Sequence, residues 1–371
     1  MKIALIDDTL SGCLTEVAHI ESYQYIRGRF TISNIKKNPS TISHSAICLE
    51  ILESLLDIEH KILHIQIISP EEIRGTIQGL TDAMLLCIEK EVDIICLSVG
   101  SLKLSDSTLL YPVIKKLIIN NIVIVASQSN LGYRTLPALY DEVVGVISDN
   151  TGELSYPDFR LLPSNPFGIN MLVPYFNTEG LIGKSVCGNS FASPVAVAII
   201  AQGFTKSTDV LKQLQLNTKY PLLSHSESAS WLFKTSDMIR KPLEIDISSE
   251  DYLNSNFMSQ VLDCLRNEFE IEAIWATDYY SEDVRIINYP YEVDLFEQLN
   301  DHLYAFTDFV FYYGKQKWDR EYEANLVLNA DGFTVYSGRT EIINKKTQST
   351  DEQGYIYELC GFLNELFADM E

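Results

Sequence analysis

Two adjacent carboxylates, Asp7 and Asp8, end the apolar run KIALI near the beginning of the chain. Acids at the C-terminal end of the first strand of an α/β sheet suit three different tasks. They can hold a magnesium ion, as in a phosphate-accepting receiver domain, or one of them can be the buried partner of a catalytic histidine. The third task is structural, because aspartate often caps the turn that leaves a strand. The pair by itself leaves all three open.

A second candidate for chemistry is Ser190, which lies in the segment GNSFASPVAVAIIA. The small and apolar residues after it predict a buried helix, and Pro194 fits the first turn, where amides need no internal acceptor. A serine at the beginning of a helix exposes its hydroxyl at the positive end of the helix dipole, which stabilises negative charge developing there. A serine that only caps the helix would have the same sequence surroundings.

Four segments, taken in chain order, resemble the signature motifs of the subtilisin-like serine peptidases. IALIDDTL is similar to the first-strand aspartate motif, and SHSAICLEIL is similar to the histidine motif that begins a buried helix. VIVASQSNLG resembles the strand that ends at the oxyanion asparagine, and GNSFASP resembles the nucleophile motif Gly-Thr-Ser-Met-Ala-Ser-Pro. The resemblance implies that the catalytic residues are Asp7, His44, Asn130 and Ser190.

The same resemblance extends to the segments that bind substrate. VDIICLSVGS is similar to the edge strand along which the family pairs its substrate. Substrate binding is thereby implied for residues on two segments, namely Ser98, Val99, Gly100, Ser127 and Ser129. Of these, Ser129 is expected in the wall of the pocket that receives the residue before the cut.

The implied residues have complementary chemical roles. The Ser190 hydroxyl is a poor nucleophile until an imidazole accepts its proton, and His44 supplies that imidazole. A buried carboxylate, Asp7, holds the imidazole tautomer and stabilises its charged form. The side-chain amide of Asn130 and the backbone N–H of Ser190 would donate to the oxyanion of the tetrahedral intermediate.

The motifs also depart from the family pattern at small neighbouring positions. Asp8-Thr9 replaces Ser or Thr followed by Gly, and Ser45-Ala46 replaces Gly-Thr. Gln128-Ser129 replaces Ala-Gly, and Asn189 replaces Thr. We expect a substrate pocket of altered shape, and we expect Asp8 to be a turn or surface acid.

The surrounding pattern predicts the elements that must position these residues. Short runs rich in Ile and Val, such as DIICLSV and IVIVAS, are typical of strands buried on both faces of a parallel sheet. A helix is expected over His44 to about Leu56, and another is expected to begin at Pro70 with Ser69 as its cap and Glu72 completing a capping box. We therefore expect a three-layer α/β sandwich with a mainly parallel sheet over residues 1–240.

Residues 241–371 have a different character and predict a small, Tyr-rich α+β domain. Residues 236–371 contain 28 acidic against 10 basic side chains, which is −18 of the chain's total of −23. This charge argues against nucleic acid or an anionic membrane as partner. The domain is a candidate for substrate recruitment, for regulation or for stabilisation, and its acidic surface suits a basic peptide partner. A helix is expected over residues 248–269.

The seven cysteines form no CxxC pair and have no zinc-like spacing, so we expect reduced thiols, no metal and no cofactor. No apolar run is long enough to span a membrane, and the N-terminus lacks a signal-peptide pattern, so a cytoplasmic location without membrane partner is expected. The function that the resemblance implies is that of a serine endopeptidase, here a selective processing peptidase such as one that removes the leader of a ribosomally made, modified peptide. The alternative is a pseudopeptidase that binds peptides without cutting them.

Overall fold

The computed structural model describes residues 1–12, 20–33, 42–69, 74–165, 167–179, 188–203, 210–224, 231, 243–249, 253–277, 281, 283, 285–288, 307–313, 324–329, 332–337, 340–347 and 351–370. The chain divides into two compact units. The first comprises Met1–Leu102 and Thr108–Thr235, and the second comprises Lys103–Ser107 and Ser236–Glu371.

The first unit is built on a mainly parallel sheet. Its strands are β1 (Lys2–Asp7), β2 (Ile20–Ile26), β3 (Arg29–Ile32), β4 (Lys61–Gln66), β5 (Ile94–Leu97), β6 (Val123–Ser127), β7 (Val144–Asp149), β8 (Arg160–Leu161) and β9 (Ile169–Pro174). They lie in the order β3-β2-β4-β1-β5-β6-β7-β9-β8, and only β3 and β8, at the two edges, are antiparallel to their neighbours. The predicted fold class is confirmed.

Helices cover the sheet of the first unit. They are α1 (His44–Leu55), α2 (Ile77–Glu89), α3 (Ser107–Ile119), α4 (Ala192–Gln202) and α5 (Val210–Asn217). In β1, Ile3 and Leu5 belong to the apolar cluster that contains α1 and α4, while Ala4 and Ile6, which point to the opposite face, are equally buried. Strands buried on both faces explain the continuous apolar runs in the sequence.

Two predictions about these elements were wrong. Helix α2 begins at Ile77 rather than at position 70, because Thr76 caps it by accepting the amide hydrogen of Gly79 at 3.0 Å. Residues 74–76 are not helical, and Pro70 and Glu72 lie outside the described residues. Strand β5 is central rather than an edge strand, since it pairs with β1 and β6. Only the residues after Leu97 extend beyond this pairing.

The second unit has a sheet of its own, formed by β10 (Leu243–Ser249), β11 (Ala273–Thr277), β12 (Ile286–Asn288), β13 (Phe309–Tyr313), β14 (Ala324–Asn329), β15 (Gly332–Ser337) and β16 (Thr340–Lys346). The order is β12-β11-β13-β10-β14-β15-β16, with antiparallel pairing only among the last three. Helices α6 (Ser255–Phe269) and α7 (Glu352–Met370) pack on one another and share an apolar cluster with this sheet.

Helix α6 begins later than the sequence predicted. Residues up to Ser249 belong to β10, and Asn254 caps the helix by accepting the amide hydrogen of Phe257 at 2.9 Å. The antiparallel pairing of β14 with β15 reaches Asn329 and Gly332, and the two residues between them lie outside the described part. Among the described residues, no helix is long and apolar enough to cross a membrane.

Candidate active site

Three side chains from separate elements meet in one hydrogen-bonded line. His44 Nδ1 lies 2.7 Å from Asp7 Oδ2, and His44 Nε2 lies 2.9 Å from the Ser190 hydroxyl oxygen. These contacts join residues 37 and 146 positions apart in the chain. Asp7 is only 2% exposed, so its carboxylate faces the imidazole in a site shielded from water. This arrangement can move a proton from the hydroxyl to the imidazole.

Each of the three residues lies at the end of an element. Asp7 is the last residue of β1, and His44 is the first residue of α1. Ser190 lies in the 3₁₀ turn Asn189–Phe191, which leads directly into α4. Because the C-terminal ends of parallel strands and the N-terminal ends of their helices meet at one edge of a sheet, the fold collects these positions.

Asp8 is not the turn or surface acid that the sequence suggested. Its carboxylate accepts the amide hydrogens of His44 at 3.2 Å and of Ser45 at 2.9 Å. Its carbonyl oxygen also accepts the Ser45 hydroxyl at 2.9 Å. An anion bound to the first amides of a helix is stabilised by the helix dipole, so Asp8 fixes α1 at the residue that carries the imidazole.

The turn made by Asp7 and Asp8 rests on a buried histidine. His64, 1% exposed, donates from Nε2 to the Asp8 carbonyl at 2.9 Å, and its Nδ1 lies 2.9 Å from the Ser22 hydroxyl. We assign the proton to Nε2 because a carbonyl oxygen can only accept. Burial lowers the pKa of His64 to about 4, so the ring is neutral at pH 7.

Cys48 lies one helical turn after His44 on α1, next to the imidazole. Its sulfur is 3.8 Å from His44 Nδ1 and 3.9 Å from Asp7 Oδ2. The ligand atoms of these three residues all lie within 4.8 Å of one another, so they could also receive a metal ion. His44 Nδ1 is already hydrogen bonded to Asp7. An ion bound at Nδ1 would therefore compete with that hydrogen bond, which is part of the line from Asp7 to Ser190. The expected absence of a metal stays a prediction.

The environment of His44 favours its charged form. Burial lowers the pKa of His44, whereas Cys48 and the hydrogen-bonded Asp7 raise it, and the net direction is upward. Burial also raises the pKa of the Cys48 thiol, so the sulfur is uncharged at neutral pH. We therefore attribute the upward direction to the Asp7 carboxylate, as expected for an imidazole paired with a buried anion.

Two further contacts hold the imidazole and the nucleophile. The Phe191 ring stacks on the His44 ring with 4.9 Å between centroids. The Ser98 hydroxyl donates to the carbonyl oxygen of Ser190 at 2.7 Å. Ser98 was expected to bind substrate, and this stays a prediction; its hydroxyl contacts the backbone of the turn that carries Ser190.

Asn130 adjoins the same turn. Its Oδ1 accepts the amide hydrogen of Asn189 at 2.6 Å, so its NH₂ group is the end that can donate. A Cβ atom on Gly188 would lie 3.0 Å from that oxygen, which explains a glycine at this position. Asn189, a departure from the family motif, donates from Nδ2 to the Ser129 carbonyl at 3.1 Å. This hydrogen bond links the turn that carries Ser190 to the loop that carries Asn130.

The remaining residues expected to bind substrate lie on two segments. Ser98, Val99 and Gly100 follow β5, and the segment is held by Ser101, which exchanges two backbone hydrogen bonds with Leu136 at 2.9 and 2.8 Å. Ser127 ends β6 and is buried. Ser129 follows two residues later, and its hydroxyl accepts the amide hydrogen of Leu131 at 3.2 Å.

Sequence reasoning missed the supporting residues around the site, above all Asp8, His64, Cys48 and Phe191. For Asp8 the sequence gives no local signal, because the amide hydrogens that it accepts belong to the beginning of α1, 36 positions further along the chain. For His64 no local signal exists. Its role depends on β4 lying next to β1, which is a property of the fold.

The strand order and the line from Asp7 through His44 to Ser190 define the first unit as a subtilisin-like α/β fold. No protein-family model matches the chain, and no curated protein matches it in sequence.

Solved structures are similar to the chain in fold, at low sequence identity. A lanthipeptide protease is 16% identical with a TM-score of 0.41, and the match covers 55% of this chain and 73% of that one. The nisin leader peptidase NisP from Lactococcus lactis is 13% identical with a TM-score of 0.38, covering 57% and 81%. A cold adapted subtilisin-like serine proteinase is 16% identical with a TM-score of 0.38, covering 58% and 76%.

Proposed function

We propose that this protein is a serine endopeptidase whose catalytic residues are Asp7, His44 and Ser190, with Asn130 as oxyanion donor. The observation that carries the proposal is the line of two hydrogen bonds, 2.7 and 2.9 Å long, from a buried carboxylate through an imidazole to a hydroxyl. The chemistry needs both distances at once, because the imidazole must accept the serine proton while the carboxylate stabilises the resulting charge.

In this mechanism the Ser190 hydroxyl oxygen attacks the scissile carbonyl carbon as its proton moves to His44 Nε2. Asp7 holds Nδ1–H and stabilises the imidazolium, which then protonates the leaving amine. The carbonyl oxygen becomes negative and is met by the Asn130 NH₂ group and the Ser190 amide. Water repeats the sequence on the acyl-enzyme and releases the second product.

We propose that the peptidase acts on one or a few peptides, and we take the leader of a ribosomally made, modified peptide as the first substrate to test. One of the similar structures is named as a lanthipeptide protease, and another is named as the nisin leader peptidase. We also propose that the protein acts in the cytoplasm. The cysteines in the described part of the chain are free thiols, which is compatible with a reducing compartment.

We further propose that the second unit recruits or regulates the substrate. It takes in Lys103–Ser107, which two residues separate in the chain from the segment Ser98–Gly100 that we propose to bind substrate. Its net charge over residues 236–371, with 28 acidic against 10 basic side chains, suits a basic peptide.

The decisive experiment is labelling of the full chain with a small alkyl fluorophosphonate, read by intact mass. We expect one adduct on the native chain, and none on Ser190→Ala. Ser54→Ala is a matched control, because Ser54 lies in α1 and donates to the Ile51 carbonyl far along the helix from His44. This variant should be labelled like the native chain.

A folded native chain that takes no label would overturn the endopeptidase proposal. The same chain would then support the pseudopeptidase if it still bound a peptide. Mass analysis of candidate leader peptides after incubation would identify the bond that is cut, and unchanged peptides beside a labelled protein would reject those substrates alone.

A further inference from the structure

Two cysteines of the second unit lie side by side where helices α6 and α7 pack on one another. Cys264 belongs to α6 and Cys360 belongs to α7, and the two thiols form a hydrogen bond. The Cys360 sulfur also lies 3.6 Å from the carbonyl oxygen of Val261, which is one helical turn before Cys264. The fold therefore brings together two thiols that are far apart in the chain.

Apolar packing holds the two helices together around this pair. Cys360 is a buried member of the apolar cluster of the second unit, and Cys264 packs against that cluster. Further along α6, the Phe269 ring contacts the Tyr357 ring of α7 with 5.8 Å between centroids. Because these contacts fix the two helices against each other, the sulfurs need only move from hydrogen-bond distance to bonding distance to form a disulfide.

The two thiols differ in exposure and in reactivity. Cys360 is 0% exposed, whereas Cys264 is half-buried and can be reached from solvent. The hydrogen bond with Cys360 lowers the pKa of Cys264, although burial and the nearby Glu268 carboxylate raise it. The same hydrogen bond, together with burial, raises the pKa of Cys360. Since the thiolate is the reactive form of cysteine, Cys264 is the thiol that reacts first with a reagent from solvent.

We propose that Cys264 and Cys360 form a disulfide bond between α6 and α7 when the protein meets a peroxide. The Cys264 sulfur attacks hydrogen peroxide, so that a sulfur–oxygen bond forms, the oxygen–oxygen bond breaks and one water leaves with the thiol proton. The Cys360 sulfur then attacks the sulfenic sulfur and releases a second water. The two sulfurs lose two electrons in all, and these reduce one peroxide to two waters.

The bond has a consequence for the second unit and agrees with a reducing compartment. A disulfide that closes a long loop of chain restricts the unfolded state, so the linked unit opens less often. In a reducing compartment such a bond is transient and is reversed by thiols. The proposal does not depend on the peptidase activity, because neither cysteine belongs to the candidate active site.

The test treats the full chain with equimolar hydrogen peroxide, blocks the remaining thiols by alkylation and maps the peptides by mass. We expect a linked pair of peptides that contain Cys264 and Cys360, and we expect dithiothreitol to separate them. Hydrogen exchange measured on the same samples should show the amides of α6 and α7 exchanging at least about tenfold more slowly in the oxidised chain.

Three variants separate the two roles. Cys264→Ser, at the half-buried position, should form no link. Cys360→Ser lacks the second thiol, so a sulfenic acid should accumulate on Cys264 and be trapped by dimedone. Cys87→Ala is the matched control, because Cys87 is buried in α2, where burial raises its pKa, and this variant should form the link as the native chain does.

Oxidised native chain without the link between Cys264 and Cys360 overturns the proposal. So does a link from either residue to Cys13 or Cys187, which lie outside the described residues and are distinguished by the peptide map. Sulfinic acid on Cys264 of the native chain, in place of the link, would show that the two sulfurs do not meet. A link that leaves the exchange of α6 and α7 unchanged would contradict the stabilisation of the second unit.

Discussion

His64 should make the stability of the first unit depend on pH in a predictable way. The ring is buried and neutral, and burial lowers its pKa from an ordinary value of 6.5 to about 4. The unfolded chain therefore binds a proton at this residue between pH 6.5 and 4, and the folded chain does not. Because stability rises with pH wherever the unfolded state binds more protons, acidification across this window should destabilise the fold.

The size of the effect follows from the two pKa values. With each pKa unit worth about 1.4 kcal/mol, the free energy of unfolding should fall by about 2 kcal/mol between pH 8 and pH 5 through His64 alone. At pH 4 the loss should reach about 3 kcal/mol. Full burial of the ring means that solvent screening does not reduce this figure.

The assay is urea unfolding at a series of pH values, followed by fluorescence and circular dichroism. The variant is His64→Gln, which keeps an N–H donor for the Asp8 carbonyl and removes the titration. We expect the native chain to lose stability more steeply than the variant below pH 6.5, so that the difference between them changes by about 2 kcal/mol from pH 8 to pH 5.

The reasoning depends on the difference between the two curves, since other groups contribute equally to both. Parallel curves over this range would show that His64 is not the buried neutral group that the structure indicates. A native chain that gains stability on acidification relative to the variant would contradict the sign as well as the size.

Three further outcomes are expected at the site. Asn130→Ala should reduce kcat by about 10²- to 10³-fold with little change in KM, a magnitude that comes from a subtilisin oxyanion donor; an unchanged kcat would remove Asn130 from the mechanism. Asp8→Ala should lower the free energy of unfolding by about 1–2 kcal/mol in a urea titration, because two α1 amides lose their acceptor, whereas Asp8→Asn should cost less. The rate of fluorophosphonate labelling should rise with pH to a midpoint above 6.5, since the raised pKa of His44 keeps the imidazole protonated at lower pH; a midpoint below 6.5 would contradict the role of Asp7.

The sequence was sufficient to select the residues that the structure brings together at the candidate site, because each lies where a strongly patterned element begins or ends. The apolar runs of β1 and β6 end at Asp7 and shortly before Asn130, and the small-residue helix α4 follows Ser190. These signals are local, and the four motifs that resemble the subtilisin-like family supplied the roles, so the interpretation needed no contact information. Strands β2 and β3 went unpredicted because few of their side chains are buried and their sequences give no continuous apolar run.

Residues that act across the fold could not be found in the same way. His64 supports the Asp8 carbonyl only because β4 lies next to β1, and nothing in either segment of sequence indicates that contact. The beginning of α2 was misplaced for a related reason: Ser69 and Thr76 are both acceptable caps in sequence. The structure selects Thr76, whose hydroxyl accepts the Gly79 amide hydrogen.

The adjacent acids Asp7 and Asp8 have separate roles, and both roles position His44. Asp7 holds the imidazole of His44, while Asp8 holds the backbone of the same residue through the first amides of α1. Burial, together with the charge of Asp7, raises the pKa of Asp8, so placing two carboxylates side by side has an electrostatic cost. The helix N-terminus and the Ser45 contacts offset that cost in part. Asp8 stands where the motif that the segment resembles has a small residue. Its carboxylate therefore adds a second contact that positions His44. The orientation of the His44 ring thus depends on both acids. If Asp7 were replaced, stabilising α1 by another route would not restore the hydrogen bond between Asp7 and Nδ1.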